Sequence, residues 1–71
     1  MAKVYRRAEI EALTQADVET AKQRVIAARA TRSGVGTVDH VLCGVNGTLH
    51  TLEAAKRYLI SELTALRRLV D

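Results

Sequence analysis

An apolar repeat with alternating spacings of four and three residues runs through the second half of the chain. All of its positions are apolar except Lys56. A repeat sustained over about four heptads is typical of a long helix packed along a coiled-coil-like seam. We therefore predict a helical region from about residue 38 to residue 70, either one long helix or a helix interrupted by a turn, whose apolar seam forms an interface. The seam positions are Val38, Leu42, Val45, Leu49, Leu52, Leu59, Leu63, Leu66 and Val70.

Gly44, Asn46 and Gly47 interrupt this repeat and leave a second interpretation open. Together they cost a helix about 2 to 3 kcal/mol relative to alanines. Asn-Gly is also the strongest short signal for a two-residue β-hairpin turn. The alternative is therefore an α+β chain with a helix, two strands over 37–45 and 48–52, and a final helix.

The spacing of the apolar residues favours the helix over the hairpin. Val38, Val41 and Leu42 do not alternate as they would in a strand with one buried face. Leu49 and Leu52 are three residues apart, which places them on one helical face but on opposite faces of a strand.

In its order of elements, the hairpin alternative resembles the tailed-phage head-to-tail joining proteins of the lambda W type. The resemblance rests on that order and on Asn46-Gly47, and it covers about residues 15–69. It implies a helix–β-hairpin–helix fold and a connector role in the joining of a phage head to its tail.

The first half of the chain predicts a helical region over about residues 5–31. Thr14 and Asp17 have the spacing of a capping box, so a helix is able to restart there after a bend or a separate short helix. Helical spacings of three and four continue beyond this point, on Val18, Ala21, Val25 and Ala28.

A turn containing glycines is predicted over residues 32–37, between the two helical regions. Gly34 is placed to end the first helix, and Thr37 is placed to cap the second. The fold class predicted for 1–71 is thus one small all-α domain, an antiparallel helical hairpin that assembles into an oligomeric bundle.

The composition predicts a thin core that needs reinforcement. Hydrophobic residues make up 48% of the chain, but it has two Tyr and no Phe or Trp. A chain of this size buries only about 60% of its unfolded surface. Cys43 is the only cysteine, so an intrachain disulfide is excluded. We therefore expect the protein to bind itself or another protein, as a structural subunit, an adaptor or an inhibitor.

The stretch from Ser33 to Leu52 carries Asp39 as its only formal charge. One interpretation is that it forms the core beneath the turn. The interpretation we favour is that part of it meets another protein surface, since a small protein cannot bury so neutral a segment on every side.

The residues that carry chemistry do not combine into a catalytic or metal site. His40 and Cys43 share a helical face, but His50 lies about 10 Å further along a helix. No acid is placed to orient a Cys/His pair, because Asp39 would point away from Cys43. We therefore expect no enzyme activity, no cofactor and no metal, and we expect Cys43 to be buried and chemically quiet.

The charge balance permits a second function. The formal net charge is +3 and the isoelectric point is about 9.5. Arg6, Arg7, Arg67 and Arg68 are predicted to lie near one another at one end of the hairpin, where they form a possible phosphate contact for a nucleic-acid-binding regulator. No apolar run approaches the length of a membrane span, and we expect a cytoplasmic protein with no membrane partner.

Overall fold

The computed structural model describes residues 3–71, and the first two residues of the predicted domain lie outside it. The protein is mostly helical, as predicted, and it also contains a pair of short strands. Its elements in chain order are β1 (Tyr5–Arg6), α1 (Arg7–Glu11), α2 (Gln15–Thr31), α3 (Thr37–Cys43), α4 (Leu52–Ala65) and β2 (Leu69–Val70). Within the described residues, no helix is long and apolar enough to cross a membrane.

The break near Thr14 separates two helices. The backbone N–H and the hydroxyl of Thr14 both donate to Asp17 Oδ2, at 2.7 and 3.0 Å, and α2 begins at the next residue. These bonds confirm the predicted helix start. The expected helical region over 5–31 needs one correction, because Tyr5–Arg6 is a strand.

Arg32, and not Gly34, closes α2. Arg32 adopts the left-handed conformation with φ 56, and the N–H of Ser33 donates to the Ala28 carbonyl at 2.7 Å. This six-residue closure satisfies carbonyls that the end of a helix leaves without partners. α3 then begins at Thr37, and its cap position is occupied by Gly36 and not by the predicted Thr37.

Turns across residues 44–51 interrupt the helical region predicted over 38–70, so the turn-interrupted form of that prediction is the one observed. The Gly44 carbonyl accepts hydrogen bonds from the N–H groups of Gly47 and Leu49, at 3.1 and 3.0 Å. Asn46, which lies between Gly44 and Gly47, adopts the left-handed conformation with φ 66. These turns stop the helix without forming the alternative β-hairpin, since the strands among the described residues lie at 5–6 and 69–70.

α4 begins where Thr51 caps it, because the Thr51 hydroxyl accepts a hydrogen bond from the N–H of Ala54 at 3.1 Å. It ends like α2, with the left-handed Arg67 at φ 57 and the N–H of Arg68 bonded to the Leu63 carbonyl at 2.7 Å. The chain thereby turns from α4 directly into β2.

The two strands pair in parallel, and they join the two ends of the described chain. Tyr5 lies opposite Leu69 and Arg6 lies opposite Val70. The N–H of Tyr5 donates to the Arg68 carbonyl at 2.8 Å. Tyr5 and Leu69 pack against the core, whereas Arg6 and Val70 are exposed.

The core receives residues from all four helices and from the turn after α3. α2 packs along α3, and both α1 and α3 contact α4. Lys56 is the polar position of the repeat, and its ammonium donates to the Glu11 carbonyl near the end of α1, at 2.7 Å. A cation at this position is favoured by the helix dipole. The core cluster contains Ile10, Val18, Ala21, Val41, Leu42, Val45, Ala55, Leu59 and Leu63.

Candidate functional site

The seam residues predicted as an interface mostly lie inside the chain. Four of them are at most 2% exposed and belong to the core: Leu42, Val45, Leu59 and Leu63. In this fold these four side chains are covered by the rest of the chain itself. The residues of the repeat belong to two segments, one before and one after the turns at residues 44–51, and both segments pack against one core. Val38, Leu49 and Leu52 are partly buried against that core.

Leu66 and Val70 are the seam residues that remain on the surface, 46% and 47% exposed. Both lie near the strand pair, where Val4 is also exposed. The most exposed large apolar side chain of the described residues lies elsewhere, in the central part of α2.

That side chain is Ile26, which is 59% exposed on the side of α2 that faces away from the core. The inner side of α2 buries Val18, Ala21 and Val25. Helical spacing puts seven exposed residues on the opposite side, which we call the α2 outer face. They are Ala16, Glu19, Thr20, Gln23, Ile26, Ala27 and Ala30.

The α2 outer face is almost uncharged. Glu19 is its only formal charge, and Lys22 pairs with that carboxylate at 3.8 Å. A helix on the surface of a small protein normally presents several charged residues to water, whereas this face combines one charge with Thr20, Gln23, three alanines and Ile26. The α2 outer face therefore has the composition of a contact surface.

An open cleft lies where α2, α3, α4 and the turn after α3 meet. Its volume is about 460 Å³. Val25 and Val41 are at its base and are 7% and 6% exposed, while Tyr58 on α4 is 47% exposed. The lining residues are Val25, Arg29, His40, Val41, Cys43, Gly44, Thr48, Leu49 and Tyr58.

Four polar side chains line the cleft without being engaged elsewhere. Within residues 3–71, the side chains of Arg29, His40, Cys43 and Thr48 form no hydrogen bond or ion pair. Cys43 is half-buried, so the expectation of a buried thiol is met only in part.

Tyr58 differs from these four side chains because its hydroxyl already has a partner. It donates to Glu62 Oε1 at 3.3 Å. The Glu62 carboxylate raises the pKa of the Tyr58 phenol, first through its negative charge and then through this hydrogen bond. A molecule in the cleft would therefore contact the ring of Tyr58, since its hydroxyl is already bonded to Glu62.

The arginines predicted to contact phosphate surround the strand pair. Arg6 is in β1, Arg7 begins α1, and Arg67 and Arg68 connect α4 to β2. The Arg7 guanidinium pairs with Asp71 at 3.4 Å, with both side chains well exposed. We call these four arginines the basic surface.

Metal-binding residues do not converge in the described part of the chain. No group of three or more His, Cys, Asp or Glu side chains lies close enough together to hold an ion there. His40 and Cys43 both line the cleft, but His50 does not. The structure thus brings together the pair that the sequence placed on one helical face.

No protein-family model, curated protein or solved structure matches this chain. Function is therefore inferred from three surfaces of the molecule: the α2 outer face, the cleft and the basic surface.

Proposed function

We propose that this protein is a non-enzymatic interaction module that self-associates through the α2 outer face and acts by protein contacts. Its role would be that of a structural subunit, an adaptor or an inhibitor. The observation that carries the proposal is the exposure of Ile26, 59%, within an almost uncharged helix face. The single cysteine supports a reducing, cytosolic setting for this function.

The total surface of the chain is larger than expected for a monomer of its mass. The structure exposes 4987 Å². A folded monomer of 7.8 kDa is expected to expose about 4,400 Å² by the scaling of surface with mass. The excess of about 600 Å² belongs to the whole chain, and it supports the presence of surface that a partner would cover.

A second copy of this chain is the partner that the α2 outer face fits. Gln23 is the central residue of α2, and Ile26 lies about 4.5 Å from it along the helix axis. Two α2 helices packed antiparallel around Gln23 place Ile26 of each copy opposite Thr20 of the other. The same alignment puts Ala16 opposite Ala30, so that small residues allow the backbones to approach.

Light scattering across a concentration series tests this proposal. We expect the wild-type protein to shift from monomer to dimer between low micromolar and millimolar concentration. Ile26→Lys should remain monomeric with an unchanged circular dichroism spectrum, since the side chain is exposed and its loss leaves the core intact. The matched control is Val4→Lys, which changes another exposed apolar residue, 51% exposed, and should dimerise like the wild type.

A monomeric wild-type protein at every concentration would refute self-association. A wild-type dimer that both Ile26→Lys and Val4→Lys leave intact would refute the α2 outer face as its interface.

A second candidate function is nucleic-acid binding by the basic surface. The observation in its favour is the strand register, which places Arg6 opposite Val70 and next to the segment that carries Arg67 and Arg68. Several arginines on one surface supply the phosphate contacts that give binding its dependence on salt.

Fluorescence anisotropy with duplex DNA and structured RNA at two salt concentrations tests this second function. If it operates, affinity falls steeply with salt, and Arg6→Ala and Arg67→Ala weaken binding whereas Arg57→Ala, on the exposed side of α4, does not. Absence of binding at low salt would refute the nucleic-acid function and would not affect the proposal of protein contacts.

A further inference from the structure

The geometry points to the cleft as a binding site for a small carboxylate with a compact apolar body. This site is separate from the α2 outer face, and it adds a ligand to a protein whose proposed function involves protein contacts alone. The inference rests on three properties of the cleft: its size, its apolar base and the Arg29 side chain, which forms no ion pair within residues 3–71.

The size and the base of the cleft suit a small molecule. Its volume of about 460 Å³ falls in the range of about 300 to 1,000 Å³ that is typical of small-ligand sites. Val25, Val41 and Leu49 give it aliphatic walls, and the ring of Tyr58 adds an aromatic surface. An aromatic body packs well against such a ring.

The charge of the cleft suits an anion. Arg29 is the charged residue of the lining, and no Asp or Glu is among the lining residues. Glu62, which holds the Tyr58 hydroxyl, does not line the cleft. The lining therefore carries one formal positive charge, on Arg29, and no formal negative charge, while Glu62 lies beside it at the Tyr58 hydroxyl.

Arg29 is available for such a ligand, in contrast to Arg24 on the same helix. The Arg24 guanidinium pairs with Asp39 on α3 at 3.2 Å, which gives it a structural role. The Arg29 side chain forms no ion pair within residues 3–71. A guanidinium donates two parallel hydrogen bonds to a carboxylate, so it selects this group over a neutral amide of the same shape. The Thr48 hydroxyl is a further donor on the lining.

Cys43 makes the cleft directly observable, because the only cysteine of the chain lies in its lining. The experiment measures the rate at which a thiol reagent modifies Cys43, in the presence of increasing naphthoate. Naphthamide, which has the same ring system without the charge, is the matched ligand. Arg29→Gln is the test variant, and Arg32→Gln, outside the lining, is the matched control.

We expect naphthoate to slow the modification of Cys43 in a saturable manner, with about tenfold higher affinity than naphthamide. Arg29→Gln should reduce naphthoate affinity about tenfold and leave naphthamide affinity within twofold. Arg32→Gln should bind both ligands like the wild type. The methyl NMR signals of Val25, Val41 and Leu49 should shift on titration with naphthoate.

Equal affinity for the two ligands would overturn the assignment of a carboxylate site. So would unchanged naphthoate binding by Arg29→Gln, or naphthoate-induced NMR shifts confined to residues outside the cleft. If Cys43 is too slow to report occupancy, the methyl titration decides alone, and absence of shifts at the three cleft residues overturns the site. None of these outcomes depends on self-association, because each one is measured at the cleft.

Discussion

Alanine substitutions at Asn46 and Gly47 should change the stability of the protein in opposite directions. Asn46 is left-handed, with φ 66, whereas Gly47 has no positive φ. The Asn46 side chain makes no hydrogen bond within the described residues, so Asn46→Ala alters only the backbone preference. A left-handed conformation costs an ordinary residue about 1 to 2 kcal/mol, a cost that Asn tolerates better than Ala. We expect Asn46→Ala to destabilise by about 1 kcal/mol.

Gly47→Ala should stabilise the protein by about 0.4 to 1 kcal/mol, because Ala restricts the unfolded chain without straining the folded one. The structure leaves room for the added methyl, whose nearest neighbour would be the Gly44 carbonyl oxygen at 3.6 Å, an ordinary contact. In a domain of this size, 1 kcal/mol corresponds to about 4 to 8 °C in melting temperature. Thermal melts followed by circular dichroism therefore resolve both effects.

The two signs together distinguish three structures for this segment. In a continuous helix both substitutions stabilise, because Ala is the best helix former. In a type I′ hairpin both destabilise, because each central residue needs φ > 0. Equal signs for the two variants would refute the turns that we describe at residues 44–51.

Three further predictions concern the core, the start of α2 and the end of α4. Leu59→Ala should lower the free energy of unfolding by about 2 to 5 kcal/mol in chemical denaturation, because Leu59 is 0% exposed. Leu66→Ala should lower it by less than about 1 kcal/mol, because Leu66 is 46% exposed. Similar losses for the two variants would refute the core assignment. The Thr14 backbone N–H and hydroxyl lower the pKa of Asp17, so its stabilisation is present above its unfolded pKa of about 3.9 and is lost as pH falls through the lower folded pKa. The difference in melting temperature between wild type and Asp17→Asn should therefore shrink on acidification, and a difference that grows would contradict the capping role. Arg67→Gly should stabilise by about 1 kcal/mol, since Gly accepts the φ of 57 without strain, and Arg67→Ala should not; a loss of stability in Arg67→Gly would show that the arginine side chain supports the fold.

The start of α2 was predictable because its signal is local. Thr14 and Asp17 lie three residues apart, and both hydrogen bonds from Thr14 to the Asp17 carboxylate form within a single helical turn. The predicted inner stripe of α2 is confirmed for Val18, Ala21 and Val25 for the same reason, since one helix sets their spacing.

The apolar repeat after residue 37 did not predict where the helices end. The spacing of apolar residues indicates which side chains are buried, but it does not indicate whether the backbone between them is helical. Leu42 and Leu59 both face one core, so the spacing of apolar residues persists across turns that contain no helix. The glycine and asparagine signal marked the place where the helix stops, but it indicated a β-hairpin that does not form. The type of turn depends on the φ angles of Asn46 and Gly47, and the identities of these two residues do not determine those angles.

The strand pair and the exposed face of α2 were missed for a different reason. Tyr5 pairs with Leu69, and a parallel contact between residues so distant in sequence has no local signature. Ile26 does have a signal, since it lies out of phase with the inner stripe of α2. An isolated apolar residue on a surface is common, however, and only the structure shows that Ile26 shares an exposed side of α2 with Gln23, Ala27 and Ala30.

Isotope-filtered NMR on an equal mixture of labelled and unlabelled chains tests the central claim most directly. The account predicts NOEs between copies that connect the Ile26 methyl groups of one chain with Thr20 of the other, and Ala16 with Ala30. These contacts should vanish in Ile26→Lys. Absence of NOEs between copies at millimolar concentration, or NOEs that involve only the strand pair around Val4 and Val70, would contradict self-association through the α2 outer face.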